Sequence, residues 1–117
     1  MGKTVLIVDD HPSFRVSARR MLEADGYDVV GEAADGTSAI DAAGALQPDL
    51  VLLDIRLPDL DGFKVAERLA ANGRTPAIVL TSSRDRSDFA YEIAASPTRG
   101  FVPKSELGAE AITLLIR

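Results

Sequence analysis

Five times along this chain a short apolar run gives way to a segment whose apolar residues recur at helical spacing, and that alternation narrows the possible architectures to very few. The runs cover residues 4–8, 29–33, 49–53, 77–80 and the trio Gly100-Phe101-Val102. Strands separated by helices run parallel, and right-handed crossovers place the helices on both faces of one sheet, which predicts a three-layer α/β domain. The third run, with Leu50-Val51-Leu52-Leu53, is apolar throughout, as a central parallel strand covered on both faces should be. The second is mixed and reads as an edge strand. The fifth carries Pro103, which cannot donate to a ladder and so also suits an edge.

The helical segments carry their own punctuation. Pro12 can open the first helix, with Phe14, Ala18, Met21 and Leu22 on one face and Gly26 at its end. A second helix is expected over 37–46, with Ile40, Ala43 and Leu46 inward and Pro48 as a stop. After a breaker-rich loop over 55–62, a third is expected over 63–71, closed by Asn72-Gly73. A short fourth helix over 87–95 should stop at Pro97, and a last helix over 106–116 is expected to follow the fifth strand.

Composition removes several function classes. The chain has 117 residues, the size of one domain with a real core. There is no cysteine, so no disulfide framework or thiolate metal site can form. The net charge is -5, and the 13 Lys and Arg residues form no cluster larger than Arg19-Arg20, which argues against this chain gripping nucleic acid itself. Acidic residues follow the start too soon for a signal peptide, and no apolar run approaches a membrane span. A cytoplasmic protein is expected.

The chemistry-bearing residues stand at the carboxyl ends of the runs, where an open parallel sheet gathers side chains into one crevice. Asp9-Asp10 follows the first run, Asp54 the third, Thr81 the fourth and Lys104 the fifth. Each has a plain explanation. An aspartate between strand and helix is a good N-cap, Asp54 can cap a loop, and most lysines are surface lysines. Two adjacent carboxylates are more than a cap needs, and crowding them is costly without a cation. Oxygen donors without cysteine point to Mg²⁺ or Mn²⁺. The single histidine, His11, reads as a surface residue at the helix start and not as a ligand. Beside a metal, Asp54 can act as a nucleophile toward phosphorus, with Thr81 and Lys104 placed to hold phosphoryl oxygens.

Asp9-Asp10, Asp54, Thr81 and Lys104, with Phe101 three residues before the lysine, resemble in order and spacing the receiver domain of a bacterial two-component response regulator. The stretches Asp10-His11-Pro12-Ser13-Phe14-Arg15 and Gly100-Phe101-Val102-Pro103-Lys104-Ser105 are similar to the NarL/FixJ branch, whose members usually carry a LuxR-type helix-turn-helix output domain. The resemblance implies a (βα)5 flavodoxin-like fold with strand order 2-1-3-4-5 and one receiver domain over 1–117, with no output domain inside this chain. It implies that Asp54 takes a phosphoryl group from a sensor histidine kinase. Asp10, Asp54 and the backbone carbonyl of Arg56 would hold Mg²⁺ (or Mn²⁺), with Asp9 acting mainly through water. Lys104, the Thr81 hydroxyl and backbone N–H groups near Ile55 and Ser82 would hold the phosphoryl oxygens. Hydrolysis of the acyl phosphate would reset the switch, the only enzymatic activity implied.

The resemblance further implies a switch that couples Thr81 to Phe101 and remodels the face made by the fourth helix, fifth strand and fifth helix. Phe101 is either a member of that switch or simply core; without the tyrosine hydroxyl common there in the family, it would act through packing alone. Kinase specificity would lie on the first helix, at positions such as Phe14, Arg15 and Ala18. A second copy of the chain is a further implied partner, DNA only through an output domain, and no membrane is implied. The chain reads as a stand-alone receiver or as the amino-terminal part of a transcription factor, the NarL/FixJ look favouring the latter. Arg56, two residues after Asp54, is either a loop charge paired with Asp59 or Asp61 or a side chain that reaches the phosphoryl group. It also stands where a haloacid-dehalogenase-like phosphatase needs an aspartate, which argues against that class. A receiver-like interaction module that works without phosphorylation is the remaining alternative.

Overall fold

In a computed structural model describing residues 2–71 and 75–117, the five runs form one parallel sheet in the order β2-β1-β3-β4-β5. Its strands are β1 (Thr4–Val8), β2 (Asp28–Ala33), β3 (Leu50–Asp54), β4 (Ala77–Ser82) and β5 (Gly100–Pro103). The helices between and after them are α1 (Pro12–Ala24), α2 (Gly36–Leu46), α3 (Gly62–Ala71), α4 (Ala90–Ala95) and α5 (Ala109–Ile116). Both edge assignments hold, β2 and β5 lying at the two ends of the order.

Period-two alternation divides the strand residues between two cores. Leu6, Val8, Val51, Leu53, Ile78, Leu80 and Phe101 face α2, α3 and the segment around α4. Val5, Ile7, Leu50, Leu52, Val79 and Val102 face α1 and α5 through Ala18, Leu22 and Ile112. The central strand β3 is buried along its whole length.

Local details depart from the sequence expectations in instructive ways. Helix α1 has Pro12 in its first turn as expected, ends at Ala24, and leaves Gly26 at φ +90°, a conformation that favours glycine. In α2 the buried positions are Gly36, Ala39 and Ala43, while Leu46 is 44% exposed and does not point inward as predicted. The reason is that β2 is the sheet edge: Leu46 lies over Gly31 at that rim, where only one strand remains to cover it. The fourth helical segment is not one helix but a 3₁₀ turn, Arg86–Phe89, followed by the six residues of α4. It stops before Ser96-Pro97, because a residue preceding proline is driven to extended geometry, and Ser96 has ψ 152°. The expected helix over 106–116 is also split, into a 3₁₀ turn at Lys104–Glu106 and α5, with Gly108 extended between them. The third strand runs one residue further than expected and takes in Asp54, and the fourth takes in Thr81 and Ser82. The expected stop at Asn72-Gly73 lies outside the described residues. Among the described residues no helix is long and apolar enough to cross a membrane.

Candidate functional site

Neither acid of the pair at the end of β1 caps α1. The cap position is His11, which makes no side-chain cap bond, so capping does not account for Asp9 and Asp10. Asp9 is wholly buried, its N–H donating to the Ala33 carbonyl of β2 at 3.0 Å. Its Oδ1 accepts from the His11 N–H at 2.8 Å, and His11 Nδ1 stands 3.0 Å from that oxygen and 3.1 Å from Asp10 Oδ1. His11 is exposed as predicted, yet its ring faces the acids. The sequence hid this, because nothing in the spacing says which way a helix-start side chain turns.

Asp54 ends β3 in register with Thr81 of β4 and is 3% exposed. Gly62 makes room for it: a Cβ there would stand 2.6 Å from the Asp54 carbonyl, so only glycine lets α3 begin this close. Lys104 reaches in from the turn after β5. Its Nζ is 2.7 Å from Asp9 Oδ2, off the line of a hydrogen bond and therefore an ion pair, and 3.7 Å from Asp54 Oδ2. The Lys104 ammonium also lies 4.3 Å from the centre of the Phe14 ring, which holds it over the crevice.

Asp9, Asp10, His11 and Asp54 each present a ligand atom within 4.8 Å of the others. Three carboxylates face a single ammonium, and the surplus negative charge together with the oxygen-rich donor set fits a hard divalent cation such as Mg²⁺ or Mn²⁺. The electrostatic strain is visible in Asp54, whose carboxyl is pushed up to about 6, first by burial and then by the charge of Asp9, with Lys104 opposing.

The remaining expected residues surround this cluster. The Thr81 hydroxyl is buried and donates to the Val102 carbonyl at 2.7 Å, so β4 is tied to β5 beside the acid cluster. The Ile55 N–H, expected to face the crevice, is taken by the Thr81 carbonyl at 3.0 Å; the amide that faces Asp54 Oδ1 is that of Arg56, at 3.3 Å. This correction follows from β3 running one residue further, which carries the ladder up to Ile55. Ser82 is buried, its hydroxyl accepting from the Arg84 N–H at 3.1 Å. Asp59 and Asp61, the suggested partners of Arg56, bind backbone instead. Asp59 accepts from Gly36 and Thr37 at the start of α2, Gly36 first among the causes that hold its carboxyl well below the usual range, and Asp61 accepts from the Lys64 N–H. Arg56 joins Asp61 only through a backbone bridge.

Phe101 is 1% exposed and stacks in a tilted row with Phe89 and Phe63, at centroid distances of 6.4 Å and 6.1 Å. Arg86, unmarked in the sequence, donates to the Phe101 carbonyl at 2.7 Å while its guanidinium lies 5.7 Å from the ring centre. On α1, the positions named for kinase recognition turn away from solvent: Ala18 is buried, and Phe14 and Arg15 are half-buried. The face that α1 offers is Ser13, Val16, Ser17 and Arg20, with Val16 49% exposed. Periodicity puts Phe14 and Ala18 on the apolar face with Met21 and Leu22, and that face meets the sheet; the docking positions came from the resemblance, which does not say which side of α1 is free.

A family model for the response regulator receiver domain matches residues 5–116. The chain is 38% identical over 106 residues to the virulence-factor transcription regulator BvgA of Bordetella pertussis, covering 91% of this chain and 51% of that protein. It is 38% identical over 101 residues to the nitrate/nitrite response regulator NarP of Escherichia coli, covering 86% of this chain and 47% of that protein. The chain thus spans about half the length of the curated relatives it matches. Among solved structures, the signal receiver domain of a NarL response regulator from Mycobacterium tuberculosis superposes with a TM-score of 0.86 at 32% identity, covering 97% of this chain and 96% of that one.

Proposed function

The chain belongs to the family of response regulator receiver domains, and from that premise we propose that Asp54 accepts a phosphoryl group from the phosphohistidine of a sensor kinase. Receiver domains bind Mg²⁺ at an acidic pocket, and in this chain Asp10, Asp54 and the Arg56 carbonyl are the groups to hold it, with Asp9 acting through water. Bound there, Mg²⁺ or Mn²⁺ supplies charge neutralisation for an in-line transfer.

The Asp54 carboxylate attacks phosphorus, an O–P bond forms as the P–N bond breaks, and the electron pair leaves with the imidazole. Lys104, 3.7 Å from Asp54, offsets the negative charge carried by the incoming oxygens. Thr81 reaches the phosphoryl group by leaving the Val102 carbonyl, which loosens β5 and gives Phe101 its cue to repack. The Ser82 amide and the amide of Arg56, in the place first assigned to Ile55, donate to the remaining oxygens. Attack of water on the aspartyl phosphate breaks the O–P bond again and resets the chain.

The single observation that carries this reading is the convergence of a buried Asp54, the Asp9-Asp10 pair and the Lys104 ammonium at the carboxyl ends of three strands. Output runs through the face of α4, β5 and α5 to an output domain of the LuxR DNA-binding type or to a second copy of the chain, in a cytoplasmic setting. The test is intact-mass analysis after incubation with acetyl phosphate and Mg²⁺. One added phosphate is expected, absent from Asp54→Asn and abolished by EDTA. An unmodified wild type points to an atypical receiver, an interaction module that works without phosphorylation and whose unmodified form is then tested for partner binding.

A further inference from the structure

Asp9 lies one residue past the end of β1, so its carbonyl has no place in the sheet ladder, yet the residue is fully buried. A buried carbonyl without a donor is costly. Here the donor is a side chain: Arg15, one turn into α1, gives an Nη1 hydrogen to the Asp9 carbonyl at 2.7 Å. The same guanidinium is anchored from the neighbouring strand, its Nε donating to Glu32 Oε1 at 3.1 Å. Arg19 holds the other oxygen of Glu32 at 2.8 Å but turns its remaining hydrogens to Glu23 and the Val29 carbonyl, away from the acids.

The carbonyl that Arg15 grips belongs to the peptide unit joining Asp9 to Asp10. Its plane sets how the two carboxylates are turned relative to each other, and Asp10 is the more exposed of the two, with His11 Nδ1 beside it. We propose that Arg15, oriented by Glu32, is a positioning residue that locks the Asp9–Asp10 peptide so that both carboxylates face the cation site. The inference rests on the receiver reading for the identity of the cation. It adds a structural link from α1 and β2 to the metal-binding acids.

Charge and positioning make opposite predictions, which makes the idea testable. Removing a nearby guanidinium strengthens cation binding if its charge is what matters, and weakens it if its grip on the peptide matters. Calorimetric titration of the unphosphorylated chain with Mg²⁺ distinguishes them. Arg15→Gln is expected to weaken Mg²⁺ binding about tenfold, the scale of losing an outer support of a metal ligand. Arg15→Lys should weaken it less, since an ammonium can still donate to the Asp9 carbonyl but cannot span Glu32 and the carbonyl together. Arg19→Gln, which removes a similar charge and the same Glu32 partner, should stay within about twofold of wild type. An Arg15→Gln protein that binds Mg²⁺ as well as wild type or better overturns the proposal, as does an equal loss in Arg19→Gln. Should Arg15→Gln not fold, Arg15→Lys against Arg19→Gln decides in the same way.

A metal-free readout separates this idea from the functional reading beneath it. In the apo chain, the His11 amide, bonded to Asp9 Oδ1, should exchange about tenfold faster in the Arg15 variant that folds than in Arg19→Gln. If wild type binds no Mg²⁺, the proposed metal-dependent phosphoryl transfer fails while this exchange difference still tests the lock. Equal exchange in the two variants breaks the lock whatever the metal does.

Discussion

The two ends of this sheet are built to different standards. At the β1–β3 side, each element next to the acids is pinned. Helix α3 buries Gly62, Val65, Ala66 and Leu69, Asp59 ties the loop after β3 to α2, and Arg15 and Lys104 reach into the acid cluster from α1 and the β5 turn. At the β4–β5 side, the 3₁₀ turn and α4 together bury no residue completely, and Tyr91 is 82% exposed. What holds α4 there is the partly buried Phe63 and Phe89 rings against the buried Phe101, with the Arg86 clamp on the Phe101 carbonyl. Local opening free energy follows buried apolar contact, so the acid end is rigid and the α4 end is inexpensive to move. That is the division the proposed phosphorylation switch needs: fixed geometry at the acids, and a shallow energy surface at α4.

The largest expected effect sets the two helices against each other. Leu69→Ala in α3, where the leucine is 3% exposed, should cost about 3 kcal/mol in urea unfolding, whereas Ile93→Ala in α4, only partly buried, should cost about 1 kcal/mol. Equal losses would erase the contrast.

Next comes the electrostatic strain of the acid end. Asp54 has its carboxyl raised in the folded chain, so its protonated form is favoured there, and the stability it contributes is present below pH 4 and lost as pH rises through about 6. Asp54→Asn should therefore stabilise the metal-free chain at pH 7 by on the order of 2 kcal/mol, with the difference closing near pH 4. Thermal melts across that window check the sign. A gap that widens as pH falls would show that Asp54 is not strained by its neighbours. Mg²⁺ should narrow the gap at pH 7 by relieving the same repulsion.

The smallest effect sharpens the α4 side. Arg86→Gln removes the side-chain donor to the Phe101 carbonyl and should lower the local opening free energy of β5 and α4 by about 1 kcal/mol. Amide exchange in β5 and α4 should rise, while exchange in β1 and β3 stays as it was. Uniform acceleration across the sheet would mean that the two sides open together.

Sequence patterning revealed the strands and both edges, because β1, β3 and β4 carry aliphatic runs while β2 is mixed and β5 carries Pro103. It also located Asp9, Asp10, Asp54, Thr81 and Lys104, since parallel topology forces strand ends to meet. It failed where a residue's neighbours belong to another element. Leu46 has the right period for the core but lies over the rim beyond Gly31. Ala18 and Arg15, which the resemblance named for kinase docking, turn toward the sheet and toward Glu32, as the periodicity of α1 already implies for Ala18. Arg86 carries no local signal, because its partner is the Phe101 carbonyl of another element.

What the sequence by itself determined is therefore the order of elements, the parallel sheet and which residues reach its carboxyl edge; these follow from local periodicity and the handedness of crossovers. What only the tertiary structure decided is how the acids are held: the Lys104 ion pair with Asp9, the turn of His11 toward the carboxylates, the grip of Arg15 on the peptide between two aspartates, and the amide of Arg56 in place of Ile55. Side-chain partners are chosen by distances of a few ångströms between segments far apart in the chain, and those distances exist only after the helices have packed.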